Sequence, residues 1–320
     1  MKWFGRGLLA VVLLLLGAYP LLQTPDTDPA AMRAKYGGAP SQFLALGNGL
    51  TVHLRDEGPR DAPAIVLLHG SNDDLHTWDA WAAQLTKQYR VIRFDQIGHG
   101  LTGPEPRGDY SPRAFVDTIE QVTARLGVAR FALAGNSMGG ANALQYALAH
   151  GDKLTALVLL DSGGGPQMGK VPGNIGFRLA RMPLLRNLML SVTPRALVEK
   201  SLRQSVWNQP VVTPAAVDRF WEMLRYPGNR QATMDRFNRD RETLDPAQLG
   251  TLRLPVLIMW GAHDSLIAPA TAQWFARAIP DSSLILYPGS GHLPMQEVAA
   301  QSADDLTGWL AAHGLPGKPG

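Results

Sequence analysis

Ala134-Gly135-Asn136-Ser137-Met138-Gly139-Gly140 is the stretch on which the fold turns. Before it, Phe131-Ala132-Leu133-Ala134 is a short apolar run suited to a buried strand, and after it Ala141 to His150 is helix-prone. Gly-x-Ser-x-Gly between a strand and a helix predicts a sharp, strained turn that presents a serine above a sheet. Such a bend leaves no room for side chains two residues before and two after the serine, and Gly135 and Gly139 meet that need. Gly140 and Ala141 then let the next helix pack closely on the sheet. The alternative is a glycine-rich turn with an incidental serine, and the rest of the chain decides between the two.

Upstream, Phe43 to Leu46 and Thr51 to Arg55 read as a hairpin through Gly47-Asn48-Gly49. Ala64-Ile65-Val66-Leu67-Leu68 is a continuous apolar strand running into His69-Gly70-Ser71-Asn72, and Asp73 or Asp74 can cap the helix that follows. Val91-Ile92-Arg93-Phe94 ends at Asp95-Gln96-Ile97-Gly98-His99-Gly100. A helix then starts at Ser111-Pro112, carries Phe115, Ile119, Val122 and Leu126 on one face, and stops at Gly127. Leu157-Val158-Leu159-Leu160 closes at Asp161. Strands apolar on both faces that alternate with helices mean a parallel sheet covered on both sides. Ligands bind such sheets beyond the carboxyl ends of the strands, where these polar motifs fall.

From 163 to about 250 the rhythm becomes helical, with starts at Thr193-Pro194 and Thr213-Pro214. Four or so short helices there read as a lid, residues 163–250, inserted between two parts of one core, 42–162 and 251–314. Met182, Leu185, Met189, Trp207, Phe220 and Trp221 are candidates to line a pocket beneath it, although each also fits as the core face of its own helix. The sheet resumes with Val256-Leu257-Ile258-Met259-Trp260, ending in Gly261-Ala262-His263-Asp264, and with Ser283 to Tyr287, ending in Gly289-Ser290-Gly291-His292. A last helix places Leu306, Trp309 and Leu310 inward.

With 320 residues, 45% of them hydrophobic, the chain has enough apolar surface for one large α/β domain. Its +3 net charge comes from scattered lysines and arginines, which argues against a nucleic-acid partner. The absence of cysteine excludes disulfides and thiolate metal sites, and the histidines are single rather than at ligand spacing, so no metal is expected. At the N-terminus Lys2 and Arg6 precede the run Leu8 to Leu16, and the apolar character continues to Leu22. Residues 1–22 therefore read as an export signal, retained as a transmembrane anchor with the domain outside the cytoplasm, or cleaved as a secretory peptide. Residues 23–41, rich in proline and glycine, read as a flexible linker.

A serine hydroxyl needs a histidine to take its proton, and the histidine needs a carboxylate to fix its tautomer. Ser137, Asp264 and His292 stand in that chain order, each at a strand end, with Asp161 as the rival acid. An oxyanion on the substrate requires two preorganised N–H donors, for which the backbones of Met138 and Ser71 are candidates, with Asn72 as an alternative to Ser71. His69, His99 and His263 read as loop-stabilising residues.

Taken together, His69-Gly70, Asp95 to Gly100, Gly135 to Gly140, Gly261 to Asp264 and Gly291-His292-Leu293-Pro294 resemble the α/β-hydrolase superfamily over about Gln42 to His313. The resemblance implies a mostly parallel eight-stranded sheet with a helical lid inserted after strand six, and acyl-enzyme hydrolysis without a cofactor. The Asn136 to Gly140 turn is similar to those of serine carboxyl esterases, cofactor-free haloperoxidase-like enzymes and meta-cleavage-product C–C hydrolases. The C–C hydrolases often carry a tryptophan after the catalytic histidine, where this chain has Leu293. Related dehalogenases and epoxide hydrolases use an aspartate nucleophile, against which Ser137 argues. The expectation is a serine hydrolase, a carboxylic ester hydrolase acting on a small to medium apolar substrate. The alternatives are a C–C hydrolase or a binding protein that keeps the pocket without the chemistry.

Overall fold

A computed structural model describes residues 19–239 and 243–318. Eight strands form one sheet in the order β1-β2-β4-β3-β5-β6-β7-β8, with β1 Ser41–Ala45, β2 Thr51–Glu57, β3 Ala64–Leu68, β4 Arg90–Phe94, β5 Phe131–Asn136, β6 Leu154–Leu160, β7 Val256–Gly261 and β8 Ser282–Tyr287. The β1–β2 and β2–β4 pairs are antiparallel, and every other pair is parallel. This is the sheet expected from the alternation of apolar strands with amphipathic helices.

The core has two halves because strand side chains alternate between faces. From β3, Val66 and Leu68 enter one cluster with Phe115, Ile119, Leu144 and Phe275, whereas Ile65 and Leu67 enter the other with Trp78, Trp81, Leu306 and Leu310. The β3 residues Ile65 to Leu68 are all at most 1% exposed, and burying a side chain of that size contributes about 1.5–3 kcal/mol. The parallel strands are therefore held from both sides, which fixes where their carboxyl ends lie.

In chain order the helices that matter for the site begin with α1, Pro29–Tyr36. Helices α2 (Asp79–Leu85), α3 (Pro112–Arg125) and α4 (Met138–His150) cover the sheet. The lid follows β6 and comprises α5 (Ile175–Ala180), α6 (Pro183–Met189), α7 (Arg195–Ser205), α8 (Pro214–Leu224) and α9 (Asn229–Asn238). Ser111 and Thr213 cap α3 and α8 as their sequence predicts, accepting hydrogen bonds from the Ala114 and Ala216 amides. Thr193 does not cap α7. Its hydroxyl donates to Met189 O at the end of α6, and Pro194 stands at the N-cap without a side-chain bond.

Two expectations about the N-terminus are corrected. The run from Leu8 to Leu16 lies outside the described residues, and no helix among those described is long and apolar enough to cross a membrane. The transmembrane anchor, the membrane as a partner and the signal reading are accordingly withdrawn, and with them the placement of the domain beyond a membrane. Instead of continuing an apolar span, the chain from Thr24 turns polar and binds the lid. Thr24 N–H donates to Ser191 O (2.7 Å) and Thr27 N–H to Arg225 O (2.9 Å). The second correction concerns residues 23–41, read as flexible, which contain α1 with Asp28 as its side-chain N-cap and Pro29 in its first turn. Lys35 and Tyr36 at its end both donate to the Glu222 carboxylate on α8, and Arg230 of α9 pairs with Asp26. Residues 24–36 thus form a strap across the lid.

Candidate active site

Ser137 sits where β5 ends and α4 begins, with φ 54° and ψ −116°. A non-glycine residue in that region costs on the order of 1–3 kcal/mol, so the surroundings must impose it. Glycines make the imposition possible: a Cβ on Gly135 would lie 2.3 Å from Gly139 O, and one on Gly139 2.2 Å from Leu68 O. The bend is fastened by Ser137 N–H to Leu160 O (3.0 Å) and by Gly163 N–H to Ser137 O (2.8 Å). The serine hydroxyl itself makes no hydrogen bond among the described residues.

His292 lies on the loop after β8, and its Nδ1 is 2.8 Å from Asp264 Oδ2. Asp264 Oδ1 accepts from the amides of Leu266 (2.7 Å) and Ile267 (3.1 Å), which hold the carboxylate in place from its far side. Both residues are at most 4% exposed. With Nδ1–H donated to Asp264, the Nε2 lone pair is left to act as a base. The link between the serine turn and this loop is Asn136, whose side-chain N–H₂ donates to His292 O (3.0 Å) and to Leu160 O (3.2 Å).

Asp161 is fully buried beside this pair, with φ 43°. Its Oδ1 accepts from Gly261 N–H (3.0 Å), while its Oδ2 has no donor. One ligand atom each from Asp161, Asp264 and His292 lie within 4.8 Å of one another. Burial first, and then the Asp264 carboxylate, push the Asp161 carboxyl well above the usual carboxylate range. The neutral form of Asp161 is thereby favoured relative to an exposed aspartate. These are the residues nearest to metal-ligand spacing among those described, and His292 Nδ1 is already hydrogen-bonded to Asp264.

Glu297 is a residue the sequence reading missed. It is 6% exposed, and its carboxylate accepts from the backbone amides of Gly291 (3.0 Å), Leu293 (3.0 Å), Trp207 (2.7 Å) and Asn208 (2.8 Å). Two of these amides flank His292, and two belong to the lid just after α7. His292 N–H also donates to Ser205 O at the end of α7 (3.0 Å), so the histidine loop and the lid share one set of bonds.

A cavity of about 540 Å³ opens above Ser137, and Ser71 and Met138 both line it. Met138 is the first residue of α4, where an amide has no intrahelical acceptor. The His69 to Asn72 loop lies hard against the serine turn: a Cβ on Gly70 would come 3.3 Å from Ser137 Cβ. His69 stabilises that loop, with Nδ1–H donated to Gly70 O (2.7 Å) and Nε2 accepting from Gln96 N–H (2.9 Å), and burial lowers its pKa. His99 is likewise buried, with Nδ1 on Ile97 O. Asp95 is structural, accepting from the amides of Leu75 and Leu101 and from His53.

The cavity departs from the apolar pocket expected. Phe115, Phe177, Leu244 and Ile267 line it, but so do Arg181, Arg236 and Arg239. Of the lid residues put forward as pocket-lining, Met189 and Phe220 border a smaller neighbouring cavity of about 100 Å³, which shares Ser71 and Phe177 with the larger one. Met182 is 48% exposed, and Trp207, 56% exposed, stacks on His263. Trp221 donates its indole N–H to Thr193 O.

Comparison with known proteins places the chain in a family. The family model described as alpha/beta hydrolase fold matches residues 63–297. Mycobacterium tuberculosis Rv2715 is 29% identical over 262 residues, covering 76% of this chain and 73% of its own. Lipase 1 of Psychrobacter immobilis is 24% identical over 265 residues, 82% of this chain and 81% of the lipase. Among solved structures, a meta-cleavage product hydrolase from Pseudomonas fluorescens superposes with a TM-score of 0.72 at 21% identity, covering 85% of this chain and 97% of that one, a likeness of fold.

Proposed function

The chain belongs to the α/β-hydrolase family, and from that premise we propose that it is a serine hydrolase acting on carboxylic esters through an acyl-enzyme. The observation that carries the proposal is the buried Asp264–His292 hydrogen bond, 2.8 Å long, at the same sheet end as a serine held at positive φ. In this reading His292 Nε2 takes the Ser137 proton as the hydroxyl oxygen attacks the ester carbonyl. Asp264 stabilises the imidazolium, and the Met138 and Ser71 amides receive the oxyanion, each worth roughly 3 kcal/mol of transition-state stabilisation. His292 then gives the proton to the departing alcohol, and water repeats the sequence on the acyl group. The apolar part of the cavity, from Phe115 to Ile267, takes the hydrocarbon of a small to medium ester.

The test is labelling with a fluorophosphonate together with turnover of short-chain aryl esters. Wild type labels at Ser137 and turns over, and Ser137→Ala does neither while keeping its melting temperature. Hydrolysis undiminished in Ser137→Ala overturns the assignment, and a folded wild type that never labels identifies a binding protein instead.

A further inference from the structure

Arg236, on α9 of the lid, lines the cavity above Ser137, and every acceptor it reaches is neutral. Its Nη1 donates to Gly98 O (3.1 Å), and its Nη2 to Asn72 Oδ1 (3.3 Å) and Thr233 Oγ1 (3.0 Å). Its buried Nε–H has no partner, and it forms no ion pair among the described residues. Three other arginines drawn into the interior are balanced. Arg93 meets Glu57 and Asp79, Arg219 meets Asp74, and Arg230 meets Asp26. The Tyr110 ring, 5.9 Å from the guanidinium, and the Asp235 charge offset Arg236 only at a distance, and no described carboxylate touches it. A cation without a contacting counter-charge is costly in a water-poor site, and a ligand can supply the missing charge. Burial lowers the Arg236 guanidinium to about 9, so it remains a cation at neutral pH.

We propose that the ester taken by this site carries a carboxylate at its far end, and that Arg236 is the counter-charge that selects it. The inference rests on Ser137 being the nucleophile. Arg181 and Arg239 line the same cavity and add to its positive field, with the Arg181 guanidinium 5.6 Å from the Phe237 ring centroid. Of the three, Arg236 alone holds a buried N–H without a partner among the described residues, so a single anionic group of single charge, a carboxylate, matches it better than a phosphate dianion. The hydrocarbon between the two ends lies along Phe115, Leu244 and Ile267, so the substrate is a half-ester of a dicarboxylic acid or an ester of similar layout.

The test compares mono(4-nitrophenyl) suberate with its neutral methyl ester, 4-nitrophenyl methyl suberate, by the ratio of kcat/KM. A charge-assisted contact predicts a ratio of about ten or more in the wild type. The ratio falls towards one in Arg236→Met and is partly kept in Arg236→Lys. Because Arg236 also holds Asn72, its loss loosens the Ser71 loop for both esters alike, and the ratio isolates the charge. A wild-type ratio of one or less, or a ratio unchanged in Arg236→Met, overturns the proposal. Calorimetry of monomethyl suberate on Ser137→Ala, with and without Arg236→Met, reads the contact without turnover. Binding lost with the arginine supports the proposal even if neither ester is hydrolysed, which would sink only the esterase reading. Inorganic phosphate displacing the half-ester at equal concentration overturns the carboxylate assignment.

Discussion

Replacing Glu297 with glutamine swaps one carboxylate oxygen for N–H₂ and tests whether this carboxylate holds the histidine loop. In the wild type one oxygen serves Gly291 and Leu293, and the other serves Gly291, Trp207 and Asn208. An amide keeps one oxygen and turns N–H₂ towards the remaining donors, so either Leu293 alone or Trp207 and Asn208 lose their acceptor, while Gly291 keeps one. A buried donor left without a partner costs about 1–3 kcal/mol, which puts the loss at roughly 1–6 kcal/mol. At about 2.1 cal/mol/K of unfolding entropy per residue, a chain of this size loses about 1.5 °C of melting temperature per kcal/mol. The expected fall is therefore about 1.5–9 °C, read by differential scanning fluorimetry. Since Gly291 and Leu293 flank His292, kcat on an aryl ester falls as well, with KM changing less. A melting temperature within 1 °C of wild type and unchanged kcat would refute the reasoning.

Further outcomes follow from the same geometry. Asp264→Asn removes the acceptor that fixes the His292 tautomer, and kcat drops by roughly three to four orders of magnitude with the fold retained; a loss below tenfold would mean Asp161 or another group orients the ring. Asp161→Asn mimics the protonated carboxyl, with an amide N–H available to face Asp264. In the wild type the folded pKa of Asp161 lies above its unfolded value near 4, so its stabilising effect is full below about pH 4 and is lost as pH rises through the folded pKa, by up to about 1.4 kcal/mol per pH unit. The melting temperature of Asp161→Asn should consequently gain on wild type from pH 4 to pH 8, and a constant difference across that range contradicts the shift.

The parts of the site that could be read from the sequence are those with a local mechanism. Gly135 and Gly139 flank Ser137 because the bend excludes side chains, and Asp264 and His292 stand directly after apolar runs, so strand-end placement located them. Glu297 carried no such signal, since two of its partners, Trp207 and Asn208, are about 90 residues away in the lid. Arg236 was one of many scattered cations, and its lack of an ion pair among the described residues exists only in three dimensions. The α1 helix was legible and overlooked: Asp28-Pro29 is the same kind of start as Ser111-Pro112, but the surrounding prolines and glycines outweighed it. Thr193 misled because a hydroxyl one residue before a proline suits either the helix ahead or the helix behind, and the chain used the latter.

An inserted segment is ordinarily joined to its domain at two covalent points, here the end of β6 and the start of β7, neighbouring strands sixth and seventh in the sheet order. The strap adds a third, because α1 leads directly into β1, the opposite edge. The covering over Ser137 is thus a bridge with abutments at both margins rather than a flap on one hinge. Tilting it about the β6–β7 side alone stretches the Thr24–Ser191 and Thr27–Arg225 bonds. Opening the covering as one body therefore means breaking these backbone bonds as well as bending its covalent joints.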